Sequence, residues 1–158
     1  MNQKSLIINY TACKIEELNA DDRTLVEAAK QATHTSYAPY SNFKVGAAVR
    51  LSNNVIVKGS NQENAAFGAG TCAERCTMFY ANAQYPNEHI TSIAVAARGT
   101  DDAFTRCPIS PCGVCRQALI EAQKRAGADI RVLLYGEDRI ELFESMSQLL
   151  PFQFDEIV

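Results

Sequence analysis

Two short segments, far apart in the sequence, most restrict how this chain can fold. They are Thr71-Cys72-Ala73-Glu74-Arg75 and Pro111-Cys112-Gly113-Val114-Cys115-Arg116-Gln117. Each lies at the expected start of a helix, and together they supply three cysteines and one carboxylate. Cys112 and Cys115, three positions apart on a helix, lie on one face and can reach one ion. This spacing predicts a metal bound where two helices begin, with the rest of the chain as scaffold.

Three thiolates favour zinc, which in catalytic sites keeps three protein ligands and leaves a fourth position open to water. The N-terminus of a helix lowers the pKa of a thiol and so favours its thiolate. Three thiolates around Zn²⁺ still leave a net negative charge, and Arg75 could compensate by donating hydrogen bonds to the sulfurs. Glu74 can point into the pocket beside the metal. A carboxylate there can move protons between water and a leaving group, a role worth about 10²–10⁴-fold in rate.

Other interpretations of these residues remain open on spacing alone. An isolated Cys-x-x-Cys pair occurs in redox and structural sites as well. Cys76 lies four positions after Cys72, so a closed four-cysteine structural zinc site is the main rival. Glu74 by itself could be an ordinary surface carboxylate of a helix.

Composition restricts the class of protein. The chain has 158 residues, 47% of them apolar and 21% charged, with a net charge of −3. These values are typical of one globular domain and give no electrostatic reason to expect a nucleic-acid partner. No apolar run is long enough to span a membrane, and the short run 6–8 does not predict a secretory signal. We therefore expect a cytoplasmic protein whose six cysteines are reduced.

Periodicity and turn residues predict alternating helices and strands. The predicted helices cover 19–36, 72–84 and 112–125, with a last helical turn at 145–150. The predicted strands cover 45–51, 55–60, 90–97, 130–135 and 139–143, the first two as a hairpin. Residues 1–17 could form a short added strand or a packed arm. Such alternation is typical of a layered α/β domain.

The order of five segments resembles one enzyme family. The segments are Tyr37-Ala38-Pro39-Tyr40-Ser41-Asn42-Phe43-Lys44-Val45-Gly46-Ala47-Ala48, Asn61-Gln62-Glu63-Asn64-Ala65, Thr71 to Arg75, Ser110 to Gln117, and Leu149-Leu150-Pro151. Cys-x-Glu followed by Pro-Cys-x-x-Cys is the three-cysteine form of the zinc deaminase signature. The chain as a whole resembles the small homotetrameric zinc-dependent cytidine deaminases over about residues 20–155.

This resemblance implies a three-layer αβα sandwich with a mixed five-stranded sheet. Residues 1–158 would form a single domain, with 1–18 as an N-terminal extension. The enzyme would be a hydrolase of pyrimidine salvage that deaminates cytidine and 2′-deoxycytidine, releasing ammonia, by zinc-activated water and a glutamate proton shuttle. Its partners would be a nucleoside and further copies of the chain, without nucleic acid or membrane.

The resemblance also assigns roles to individual residues. Zn²⁺ would be bound by Cys72, Cys112 and Cys115, with Glu74 as the proton shuttle. Substrate contacts would come from Phe43 on the pyrimidine ring, Asn61 and Glu63 on the ribose hydroxyls, and the backbone of Ala73 on the base carbonyl. Arg75 would bond to the ligand sulfurs. Phe154, or alternatively Phe152, would cover the pocket of a neighbouring subunit.

Two further hypotheses concern the substrate. Deaminases of the nucleoside antibiotic blasticidin S share the metal signature, but the Asn61 and Glu63 pair favours a plain ribose. Editing of polynucleotides is disfavoured by the acidic charge balance. The chain also departs from the family in its loop 98–109, which is longer than expected and contains Cys107; Cys107 and Cys13 are interpreted as bystander thiols.

Overall fold

The computed structural model describes residues 1–155 and contains one sheet with helices on both of its faces. The strands are β1 (Thr11–Cys13), β2 (Lys44–Leu51), β3 (Ile56–Ser60), β4 (Ile90–Arg98), β5 (Arg131–Tyr135) and β6 (Ile140–Phe143). The helices are α1 (Ala20–Ala32), α2 (Ala73–Gln84) and α3 (Gly113–Ala126). A short 3₁₀ turn covers Met146–Leu149, where a last helical turn was predicted. The mixed α/β class predicted from the sequence is confirmed.

The sheet has the strand order β1-β6-β5-β4-β2-β3. Strands β4 and β5 run parallel, and every other neighbouring pair runs antiparallel. The prediction of five strands is wrong, because β1 pairs with β6 and adds a sixth strand at the edge. Three residues are too few to show a period-2 pattern, so only the pairing with β6 reveals this strand.

Each face of the sheet carries its own core, because neighbouring side chains of a strand point to opposite sides. On β4, Ile93 and Val95 pack with Met78 of α2 and Leu119 of α3. Residues of the same strand on the other face pack with α1, and they are smaller: Ala94 and Ala96 lie against Leu25, Val26 and Ala29. The molecule therefore has three layers, with α1 on one side and α2 and α3 on the other.

The small residues beneath α1 allow that helix to lie very close to the sheet. A Cβ atom added at Gly46 would lie 2.2 Å from the backbone oxygen of Ala29. At its start, α1 is capped by Asn19, whose side chain accepts a hydrogen bond from the backbone N–H of Asp22. Cap and close packing together determine where α1 lies and how it leads into the segment before β2.

Helix α2 is held against the hairpin in a similar way, which places its first residues beside the end of β3. A Cβ atom at Gly59 would lie 2.5 Å from the hydroxyl of Thr77. That buried hydroxyl donates to the carbonyl oxygen of Ala73 at 2.7 Å. Within residues 1–155, no helix is both long and apolar enough to cross a bilayer.

Candidate metal centre and substrate pocket

Three cysteine sulfurs meet where α2 and α3 begin. The sulfur of Cys112 lies 3.8 Å from that of Cys72 and 3.6 Å from that of Cys115. All three sulfurs lie within 4.8 Å of one another. Thiolates on a tetrahedral zinc with bonds of about 2.3 Å are about 3.8 Å apart. The residues present therefore fit a zinc ion with a fourth position left for another ligand.

The local structure explains why these sulfurs are free to bind a metal. Cys72 and Cys112 are the N-cap residues of α2 and α3, and neither side chain caps its own helix. The backbone of each cysteine is extended, so the cysteine stands just ahead of the first turn of its helix. Both helix N-termini therefore bring partial positive charge to the sulfurs, which stabilises thiolates.

The thiols of the cluster shift one another's pKa values. Hydrogen bonds from Cys115 and then Cys112, together with the guanidinium of Arg75, lower the pKa of the Cys72 thiol to about 5 although burial opposes them. The pKa of Cys115 is raised in turn, first because it donates to the Cys72 sulfur and then because it is buried. Arg75 thus lies beside the sulfur cluster, where its positive charge offsets the negative charge of the thiolates.

Glu74 lies next to the sulfurs and is almost completely buried, with 4% of its surface exposed. Burial raises the pKa of its carboxyl group, and the negative charge of Cys72 raises it further. The interpretation of Glu74 as a surface carboxylate is therefore wrong. A raised pKa makes the carboxyl a better proton acceptor than an ordinary glutamate, and this suits a group that must both take up and release a proton.

Cys76 does not join the cluster. Among residues 1–155, the group of potential ligands that meet at one point contains Cys72, Cys112 and Cys115 alone. Cys76 lies one turn further along α2, where its backbone N–H bonds to the carbonyl oxygen of Cys72. The arrangement favours an open three-sulfur site over the closed four-cysteine alternative.

A cavity of about 480 Å³ opens directly beside Cys72 and Arg75. Its wall combines aromatic and polar side chains from the loop before β2 and the loop after β3. The side chains that form these walls include Tyr40, Ser41, Asn61, Glu63 and Phe67. Tyr40, Ser41 and Phe67 were not predicted to belong to the site, although Tyr40 and Ser41 lie in a segment that carries the resemblance. Phe67 had no sequence signal.

Asn61 lies at the end of β3 and connects three neighbouring segments. Its amide oxygen accepts hydrogen bonds from Ser36 Oγ at 2.5 Å and from the backbone N–H of Val45 at 2.8 Å. Its amide nitrogen donates to the carbonyl oxygen of Phe43 at 2.9 Å. An amide nitrogen has two N–H donors, so one of them is left for a ligand.

Glu63, in the loop after β3, is hydrogen-bonded to the loop before β2, which forms the other wall of the cavity. Its carboxylate accepts hydrogen bonds from the Ser41 hydroxyl at 2.5 Å and from the backbone N–H of Tyr40 at 2.8 Å. The Ser41 hydroxyl bond, followed by the Tyr40 bond, lowers the pKa of Glu63. An ionised carboxylate has about four acceptor positions, so it can still accept from a ligand hydroxyl.

Phe43 and Ala73 border this region differently. Phe43 is half-buried and joins the site through the Asn61 bond to its carbonyl; its side chain does not line the 480 Å³ cavity. Ala73 is fully buried as the first residue of α2. At that position of a helix the backbone N–H has no intrahelical partner and can bind an acceptor.

Phe154 lies at a second cavity, of about 640 Å³, on the other side of Arg75. Phe79 of α2 and Val114 and Gln117 of α3 also line it. The Phe154 side chain is 68% exposed, and Phe152 is 90% exposed and takes no part in this cavity. Arg75 thus separates the cavity beside the metal centre from a groove that holds the C-terminal aromatic residue.

Comparison with known proteins agrees with this geometry. Residues 19–127 match the family described as the cytidine and deoxycytidylate deaminase zinc-binding region. A cytidine deaminase of Halalkalibacterium halodurans is 37% identical over 135 residues, which cover 85% of this chain and 94% of the relative. A probable cytidine deaminase of Dictyostelium discoideum is 33% identical over 131 residues, which cover 83% of this chain and 82% of the relative. Fold and sulfur cluster together define a zinc-binding deaminase.

Solved structures support the same assignment. Cytidine deaminase from Burkholderia pseudomallei superposes with a TM-score of 0.71 at 39% identity, covering 83% of this chain and 97% of that one. Cytidine deaminase from Mycobacterium tuberculosis superposes with a TM-score of 0.65 at 29% identity. The match covers 87% of this chain and 100% of that one. The chain belongs to the cytidine deaminase family, as one of its small zinc-dependent enzymes. The predictions of this family and of a zinc cofactor are confirmed.

Proposed function

We propose that this chain hydrolytically deaminates cytidine and 2′-deoxycytidine to uridine and 2′-deoxyuridine, with release of ammonia. The observation that carries the proposal is a buried carboxyl, Glu74, beside three sulfurs at the edge of an open cavity. The family match and the names of the relatives supply the substrate class.

Zinc, when bound by Cys72, Cys112 and Cys115, supplies a Lewis acid that makes water a sufficient nucleophile at neutral pH. Glu74 accepts a proton from the water that attacks C4 of the ring and delivers it to N3. It then carries the second proton to the departing amine, so that one water is consumed for each ammonia released. Its raised pKa supports this shuttle, because burial makes the carboxylate a stronger proton acceptor than an ordinary glutamate.

The substrate contacts follow from the hydrogen-bonding capacity that remains in the pocket. Asn61 donates its free N–H to a ribose hydroxyl, and Glu63 accepts from a ribose hydroxyl. The backbone N–H of Ala73 binds the base carbonyl. Phe43 packs against the pyrimidine ring, and this assignment requires its side chain to turn towards the cavity. Arg75 donates to the sulfurs, and its charge favours the thiolate of Cys72.

We further propose that the enzyme is a homotetramer with shared sites, in which Phe154 covers the pocket of a neighbouring subunit. An exposed aromatic ring next to Arg75 supports this role, and Phe152 lies outside that groove. The whole chain would act as one domain, since β1 of the N-terminal extension joins the common sheet. Because the proposed reaction converts cytidine to uridine, we assign the enzyme to pyrimidine salvage.

An ultraviolet assay on purified protein tests the proposal, with zinc counted per chain. We expect turnover of cytidine and 2′-deoxycytidine, one zinc per chain, and weak activity on blasticidin S. Blasticidin S turned over in preference to cytidine would contradict the substrate assignment. Binding of single-stranded RNA that weakens steeply with salt would indicate a polynucleotide substrate instead.

A further inference from the structure

The side-chain amide of Gln117 binds both backbone polar groups of Phe154. Its nitrogen donates to the Phe154 carbonyl oxygen at 2.5 Å, and its oxygen accepts from the Phe154 N–H at 3.4 Å. Two hydrogen bonds to one residue fix the direction of its backbone and therefore of the Cα–Cβ bond from which its side chain extends. The Phe154 ring is thereby placed in the groove beside Arg75.

The C-terminal segment has little else to hold it. Residues 151–155 contain no helix or strand. Within the described part of the chain, their only hydrogen bonds to other segments are the two made by Gln117; the Gln153 to Asp155 bond is local. A segment without other partners loses its defined position when such bonds are removed.

The residue before Gln117 anchors the start of the same segment. Arg116 donates to the carbonyl oxygen of Pro111 at 2.8 Å and to that of Leu149 at 2.7 Å. Pro111 directly precedes the metal ligand Cys112, and Leu149 lies two residues before the C-terminal segment begins. One turn of α3 therefore contains a metal ligand, Cys115, and the two residues that hold the C-terminal segment.

We propose that Gln117 is a positioning residue of the substrate site, which acts through Phe154. It fixes the Phe154 backbone so that the ring stands ready to close the pocket of a neighbouring subunit. This inference rests on the proposed function of Phe154, and Gln117 itself belongs neither to the sulfur cluster nor to the lining of the cavity beside it. Its removal should weaken substrate binding and leave the chemical step unchanged.

The test is a double-mutant cycle with Gln117→Leu, Phe154→Ala and both together. We expect Gln117→Leu to raise KM for cytidine about tenfold, the effect of losing about two neutral hydrogen bonds, with kcat and zinc content retained. In the Phe154→Ala background the same change should have no further effect on KM. Gln117→Glu, which keeps the size and the acceptor but lacks the donor, replaces the leucine variant if that variant does not fold. Arg125→Gln, an exposed change on the same helix, is the control.

Hydrogen exchange of the C-terminal peptide supplies a readout that needs no activity. Gln117→Leu should speed exchange at Phe154, and Arg125→Gln should not. Wild-type protein that fails to deaminate cytidine would refute the proposed function, while faster exchange would still show that Gln117 anchors the segment. Additive effects on KM, unchanged KM in an active variant, or unchanged exchange would each overturn the positioning role.

Discussion

The side-chain nitrogen of Asn61 lies 2.9 Å from the carbonyl oxygen of Phe43 and donates a hydrogen bond to it. This bond ties the residue that follows β3 to the residue before β2, so that the two walls of the 480 Å³ cavity are held together. The residue expected to recognise ribose is therefore also part of the scaffold.

Asn61→Ala should lower both stability and substrate affinity. It leaves the backbone N–H of Val45 and the carbonyl of Phe43 without their partner, which costs about 1–3 kcal/mol of unfolding free energy. Urea denaturation and KM for cytidine are the measurements. Asn87→Ala, an exposed change, should alter neither. An Asn61→Ala protein of unchanged stability would show that these bonds contribute nothing.

Glu74→Gln should keep the fold and the zinc but lose turnover by at least about 10²-fold, because an amide cannot accept and return a proton. Rapid-quench or ultraviolet kinetics with zinc analysis on the same sample measure both properties. Glu16→Gln, on an exposed turn, is the matched control and should retain full activity. Near-normal kcat in the Glu74 variant would exclude the shuttle role.

Cys112→Ser should reduce the zinc content well below one per chain, since an alcohol is a much weaker ligand for zinc than a thiolate. Cys76→Ser should bind zinc normally because its sulfur lies outside the cluster. Both are measured by metal analysis after dialysis against a weak chelator. Loss of zinc from the Cys76 variant would instead support a four-cysteine structural site.

Asp22→Asn should destabilise the protein through a bidentate ion pair between α1 and β5. Arg131 contacts the two carboxylate oxygens of Asp22 at 3.0 and 3.1 Å, and only 9% of the Asp22 side chain is exposed. We expect a loss of about 2 kcal/mol, less than for a fully buried pair because Arg131 is partly exposed. Glu144→Gln removes the other, 74% exposed partner of Arg131 and should cost less than about 1 kcal/mol. Urea denaturation of both variants measures the difference, and equal losses would contradict it.

The loop that carries Tyr40 and Ser41 should stay in place well into the acid range. Hydrogen bonding lowers the pKa of Glu63 below its ordinary value of 4.5. A depressed carboxyl pKa stabilises the folded contacts above 4.5, and that stabilisation is lost as the pH falls through the folded pKa. The Tyr40 amide resonance should therefore shift with a midpoint below 4.5, and should lose this titration in Glu63→Gln. A midpoint above 4.5 would contradict the bonding.

The sequence alone determined the features that depend on local spacing. Cys-x-Glu and Pro-Cys-x-x-Cys at two helix starts predicted the zinc cluster, since three positions on a helix decide which side chains share a face. Continuous or alternating apolar runs predicted the five longer strands, and Gly127, with a φ of 62°, ends α3 as expected for a left-handed glycine.

Only the tertiary structure decided what depends on contacts between distant segments. The pairing of β1 with β6, the bonds that occupy Asn61 and Glu63, and the hold of Gln117 on Phe154 join residues that no local pattern relates. The burial of Glu74 is another such feature, because its raised pKa comes from the layers packed around it. Spacing selects the ligands of a metal, whereas the environment of an acid and the shape of a pocket arise only when the layers meet.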